Sequence, residues 1–204
     1  ITPTPSTNQA SISDPLSSRA APTYTASCDY TNFSTSSGGT LNPGVYCGGI
    51  SITGSNDTTF NAGTYILLGG GFNSSSSGTM TGTGVTFYLT KNASYSYGGV
   101  SISGSGTYNL KAPTSGSLEA MLFFQDRSVG SYSNSITGSA NLSLSGVIYL
   151  PNQDLKYAGS GVAPYTVLVC DTLTFNGSTT LGNDYSTLAH GNPMAPTKSA
   201  LMGE

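Results

Sequence analysis

The sequence predicts an all-β protein, a short right-handed parallel β-helix of about six coils, and three observations carry that expectation. The first is a loose repeat with a period of about twenty residues, the usual sign of a solenoid. Leu41-Asn42-Pro43-Gly44-Val45-Tyr46 is echoed by Phe60-Asn61-Ala62-Gly63-Thr64-Tyr65, and each is followed by Gly-Gly and an alternating segment. The second is that alternation of apolar with small polar residues, which places the two sets on opposite faces of a strand. The third is the absence of any helical pattern long enough to act as a crossover, in a chain whose 27 glycines supply corners. A β-sandwich is the alternative, since the same spacing suits hairpins. Against it, the hairpin dipeptide Asn-Gly occurs only at Asn176-Gly177.

Residues 1–27, with Pro3, Pro5, Pro15 and Pro22, read as a linker or irregular cap with one helical turn starting at Asp14-Pro15. Opening at Ile1, without Met or a leader, the chain reads as a processed piece. Residues 28–190 form the expected β-helix domain and 191–204 a C-terminal tail. Cys28 and Cys47 enclose a Gly/Ser/Thr-rich loop of about 18 residues, whose closure would stabilise by about 3 kcal/mol, so a disulfide is expected there. Alternating strands are expected at 50–54, 72–75, 100–104, 142–146 and 173–177. A more apolar family is expected at 85–89, 121–124, 147–150 and 167–169. Residues 91–118 and 128–140 are expected to bulge as loops. Cys170 sits in an apolar run and reads as a small core residue.

Composition excludes several classes. The 204 residues suit one domain with a real core. Only 7% are charged, against roughly 25% in an average soluble domain. With net charge −3 and six basic residues there is no basic stripe for nucleic acid or an anionic membrane surface. Apolar residues lie in runs too short to span a bilayer, so no membrane segment is expected in this chain. Thirteen Tyr and seven Phe supply strand material that disordered chains lack. Low charge, abundant hydroxyls and paired cysteines point to an extracellular or cell-surface setting.

No catalytic motif stands out, so no catalytic residue or cofactor is assigned. Asp126, Asp154 and Asp171 each close an apolar strand, and equivalent strand ends in successive coils would bring them together, with Arg127 and Lys156 offsetting their repulsion. Turn capping by each Asp is the plain reading. A Ca²⁺ site using Gln125, Asn152 and Gln153 carbonyls, or an acid pair for glycoside hydrolysis, are the functional ones. The outward positions Ser51, Thr53, Asn73, Ser75, Ser101, Ser103, Ser143, Ser145, Thr172 and Thr174 would stack into two hydroxyl ladders, a candidate for surface or ice recognition. Tyr95, Tyr97, Tyr132, Tyr157 and Tyr165 lie in loop-like sequence and would suit a polysaccharide groove. The sequons at Asn32, Asn56, Asn73, Asn92, Asn141 and Asn176 arise readily by chance here and matter only in a eukaryotic secretory host. His190, the one histidine, lies far in sequence from Cys170.

The runs LNPGVYCGGI (41–50), GTGVTFYLT (82–90), LFFQDRS (122–128) and YLPNQD (149–154) resemble the C-terminal surface region of TadG-like proteins of bacterial tight-adherence pilus assembly. The resemblance covers roughly residues 28–180. It implies a membrane anchor elsewhere and a role in envelope-associated assembly or adhesion, with cell-surface or pilus components as partners and unmodified sequons. The leading expectation is therefore a non-enzymatic structural or adhesive module. A carbohydrate-binding or carbohydrate-active module comes second and an ice-binding face third.

Overall fold

A computed structural model describes residues 13–138, 141–176 and 180–195, and every regular element among them is a strand. In chain order these are β1 (Tyr30–Thr35), β2 (Gly39–Leu41), β3 (Gly44–Ile52), β4 (Thr58–Phe60), β5 (Gly63–Leu68), β6 (Phe72–Ser74) and β7 (Thr79–Thr83). They continue as β8 (Val85–Thr90), β9 (Val100–Ile102), β10 (Thr107–Lys111), β11 (Met121–Gln125), β12 (Ser133–Ile136), β13 (Leu142–Ala158) and β14 (Thr166–Asn176). All named strand pairs are parallel.

The pairing closes on itself. Two arcs, β5-β8-β11 and β6-β9-β12, both start on β3 and both end on β13, giving a closed eight-stranded parallel barrel. Outside it lie β1 on β3, β14 on β13, and the row β10-β7-β4-β2 branching from β13. The expected six-coil β-helix and the β-sandwich are both overturned by this closure. The reason lies in two long strands. Gly48 and Gly49, with φ of +84° and +79°, bend β3 without breaking it, so its first half pairs β5 and its second half β6. Likewise β13 runs through Pro151 and serves β11, β12, β10 and β14 along its 17 residues. A sandwich fails because hairpins require antiparallel neighbours.

Other expectations shift too. The segment 91–118 contains β9 and β10, and 128–140 contains β12, so neither is simply a bulging loop. At Asp14-Pro15 there is a hydrogen-bonded turn, with Leu16 N–H on Asp14 Oδ1 and Arg19 N–H on the Leu16 carbonyl, in place of a helical turn. Expectations for residues 1–12 and 196–204, and for the turn at Gly177, lie outside the described residues.

Alternation divides the strands' side chains between two apolar clusters. On the inner side Tyr65, Phe87 and Phe123 stack through register-matched positions at centroid spacings of 5.2 Å. Their neighbours Val45, Ile66, Tyr88, Phe124 and Tyr149 face outward, and they are buried because Leu16 and Leu188 lie over them. This explains why β5, β8 and β11 read as continuous apolar runs, the pattern of strands covered on both faces. The segment around Leu16 is fixed by Arg127, which donates to Asp14, Tyr149 Oη and the Leu16 and Arg19 carbonyls while lying against the Tyr149 ring. The Cys28–Cys47 disulfide forms as expected, with Cα atoms 5.6 Å apart, and ties the approach to β1 onto β3.

Candidate functional site

Where the covering segments are absent, in-register parallel strands turn alternation into rows of like side chains at about 4.8 Å spacing. One row is Ser34, Ser51, Asn73, Ser101, Ser135, Lys156 and Thr174, running from β1 to β14. Beside it Thr53, Ser75, Ser103 and Thr137 extend the same face, each donating its backbone N–H to the preceding strand. A second face, built by β2, β4, β7, β10 and the start of β13, carries Thr40, Thr59, Thr81, Asn109 and Ser143. Along it the Thr59 and Thr81 hydroxyls hydrogen-bond at 3.3 Å, and Asn61 donates to Asn42 at 2.8 Å.

The expected ladder is thus redistributed. Ser51, Ser101 and Thr174 share one row, with Thr53 and Ser103 beside it, but Ser143 belongs to the other face. Thr172 pairs in register with Asp154 and donates to its carboxylate. Ser145 is buried, its hydroxyl without a partner, so it offers nothing to a ligand. Sequence reading missed Thr40 and Thr59 because β2 and β4 are three-residue strands, and with them the row that Thr81 of β7 continues. The signal was present in Gly39-Thr40-Leu41 and Thr58-Thr59-Phe60, which repeat polar-Thr-apolar at the repeat spacing.

The carboxylates are held locally. Asp126 accepts from the Thr90 hydroxyl at 2.7 Å and from the backbone N–H and hydroxyl of Ser128 at 2.9 and 2.8 Å. Burial pushes this carboxyl up, but hydrogen bonds from Thr90, Ser128 and Tyr88 outweigh it and hold the pKa below the ordinary value. Arg127 turns away from Asp126 toward Asp14. Asp154 and Asp171 both lie near the half-buried Cys170, whose thiol is pushed up first by burial and then by these two charges. The amide carbonyls face other partners. Gln125 Oε1 accepts from the Asn152 N–H, and Gln153 Oε1 accepts from Tyr97 Oη and Asn134 Nδ2. Among the described residues no three His, Cys, Asp or Glu side chains gather as a metal-holding group, Asp126, Asp154 and Asp171 included.

Of the five tyrosines, Tyr157 and Tyr165 are core residues, Tyr97 is tied to Gln153, and Tyr132 is the one exposed ring, at 44%. Tyr97 and Tyr132 pack edge to face at 5.3 Å, and Tyr95 is half-buried against the outer apolar cluster, so the five do not share one face. Glu119, which sequence reading does not single out, and His190, 71 residues on, meet at the edge of a cavity of about 900 Å³. Buried Glu119 accepts from the His190 backbone N–H at 2.9 Å and bonds its Nδ1. Burial raises the Glu119 carboxyl, and these bonds from His190 override it, leaving the pKa below the ordinary value. No local sequence signal joins the two residues.

No protein-family model matches this chain, and no curated protein or solved structure gives a significant match to it.

Proposed function

We propose that the protein is a non-enzymatic extracellular structural or adhesive module, working through the face that carries Thr40, Thr59, Thr81, Asn109 and Ser143. The observation behind this reading is the uncharged hydroxyl and amide row itself, held by strand register at fixed spacing. Such a face meets a flat partner with many weak hydrogen bonds and little side-chain ordering cost, because Ser and Thr have few rotamers to lose. A disulfide and the absence, among the described residues, of any helix long and apolar enough to cross a membrane are compatible with secretion. The resemblance to TadG-like proteins supports a bacterial envelope and pilus-associated partners as its setting. Adsorption of the purified protein to whole bacterial cells and to insoluble cellulose and chitin tests it. Retention on at least one surface, lost in Thr59→Lys/Thr81→Lys, is expected; failure to adhere to any of them counts against the reading.

The three consecutive threonines of this row favour one second reading, recognition of ice. Thermal hysteresis in concentrated solution is its expected signature, and freezing at the equilibrium melting point removes it.

A further inference from the structure

The ladder that begins at β1 ends at β14 after seven rungs, and its two ends are alike. Positions can be followed rung by rung from Ser34 to Thr174 and from Thr35 through Ile52, Ser74, Ile102, Ile136 and Tyr157 to Phe175. At the β14 end the apolar positions are only partly covered: Leu173, at the rim of a cavity it shares with Pro15 and Met194, is 47% and Phe175 40% exposed. Phe175 shows one ring face because the other stacks on Tyr157 at 5.9 Å. The β1 end carries Phe33 in the position corresponding to Leu173.

We propose that these two edges are made for one another, and that the protein associates head to tail with a second copy, β14 of one lying in parallel register on β1 of the next. Within the chain the rungs differ in length. Two glycines of β3 oppose the single Asn32 of β1, and three residues of β13 oppose the single Asp171 of β14. The end strands nevertheless match each other without a bulge, since two residues separate Cys170 from Leu173 and two separate Tyr30 from Phe33. In this register Leu173 falls over Phe33, Thr174 over Ser34 and Phe175 over Thr35, so apolar and hydroxyl rows both continue. Strand polarity also agrees, because every rung is parallel and translation along the ladder leaves direction unchanged. A two-fold β14-to-β14 contact would instead be antiparallel and would stop at a dimer. Neither edge carries the Lys or Pro that guards an exposed strand against such pairing, and Asp171 is the one charge on either. The inference is independent of what the hydroxyl rows bind.

The test uses Ser34→Cys/Thr174→Cys in a Cys170→Ser background. Stacked rungs would bring these Cα atoms to about 5 Å, within disulfide range, while inside one chain they stand at opposite ends of the ladder. Mild oxidation is expected to give covalent dimers, trimers and longer species, removed by reductant. Thr174→Cys alone should stay uncrosslinked. Dimers from Thr174→Cys alone, or no covalent species from the double variant, overturn the proposal. Sedimentation provides the second arm. Wild-type protein is expected to associate with rising concentration, and Leu173→Lys/Phe175→Lys to remain monomeric while keeping the strand signal of the folded protein in circular dichroism; a wild type that stays monomeric throughout also overturns it.

Discussion

Glu119 shows how one side chain joins distant parts of this sequence. It is nearly fully buried, and its two hydrogen bonds to His190 fasten the C-terminal segment to the strand layer beneath. Replacing it by Gln keeps the shape and removes the charge, so a loss of about 1–3 kcal/mol is expected in chemical unfolding, with faster proteolysis near His190. The pH dependence has a definite sign. Glu119 and Asp126 are both held below their ordinary values, so the unfolded chain binds protons more readily than the folded one. Their contribution is complete above the ordinary carboxylate pKa and is lost as pH falls through about 4 and below. Tm should therefore fall on acidification, and Glu119→Gln and Asp126→Asn should each flatten that fall; an unchanged profile in both would contradict the assignment. Cys28→Ser is expected to cost about 3 kcal/mol, read as a lower denaturation midpoint.

At the scale of elements, the glycines decide how strands join. Gly70 has φ +66°, and a Cβ there would sit 1.9 Å from the Gly48 carbonyl oxygen, backbone that cannot yield. Gly116 also has a positive φ, +87°, but open space around it. Gly116→Ala should thus cost about 1 kcal/mol from conformation alone, whereas Gly70→Ala should cost at least about 2 kcal/mol more by thermal or chemical unfolding. Equal losses would mean that the close approach contributes nothing. These same glycines limit what the sequence could reveal. Period-two alternation correctly marks strands such as β6 and β9, continuous apolar runs mark those at 85–89 and 121–124, and the double apolar face of the latter family is written in its lack of polar positions. Whether Gly-Gly ends a strand or bends it depends on the strand stacked against it, and that information is not local. The pairing of β3 with two arcs, and hence the closed barrel, was illegible for this reason. The short strands β2 and β4 were missed because three residues hold too little pattern.

Over the whole molecule, the chain spends its apolar residues on a continuous interior and leaves two hydroxyl-rich rows outside, one carrying Lys156 and the other, through Thr59 and Thr81, carrying no charge. The expected acids gather into no metal-holding group among the described residues: β11 and β14 flank the same stretch of β13 from opposite edges, and Asp126 and Asp154 accept hydrogen bonds from Thr90 and Thr172. The hydroxyl ladder survives in altered form, because alternation tells which side chains face outward but only register tells which of them share a row. Ser143 illustrates the difference. Its alternating segment looks equivalent to that of Ser101, yet the two lie on separate faces. The row through Thr59 and Thr81 is the proposed working surface, and a comparison of the two faces tests it. Lysines at Thr59 and Thr81 should abolish retention on the surface that holds the wild-type protein, while lysines at Ser51 and Ser101 should leave retention within about twofold and both proteins equally stable. Retention lost only from the Ser51/Ser101 pair, or from neither, would contradict it.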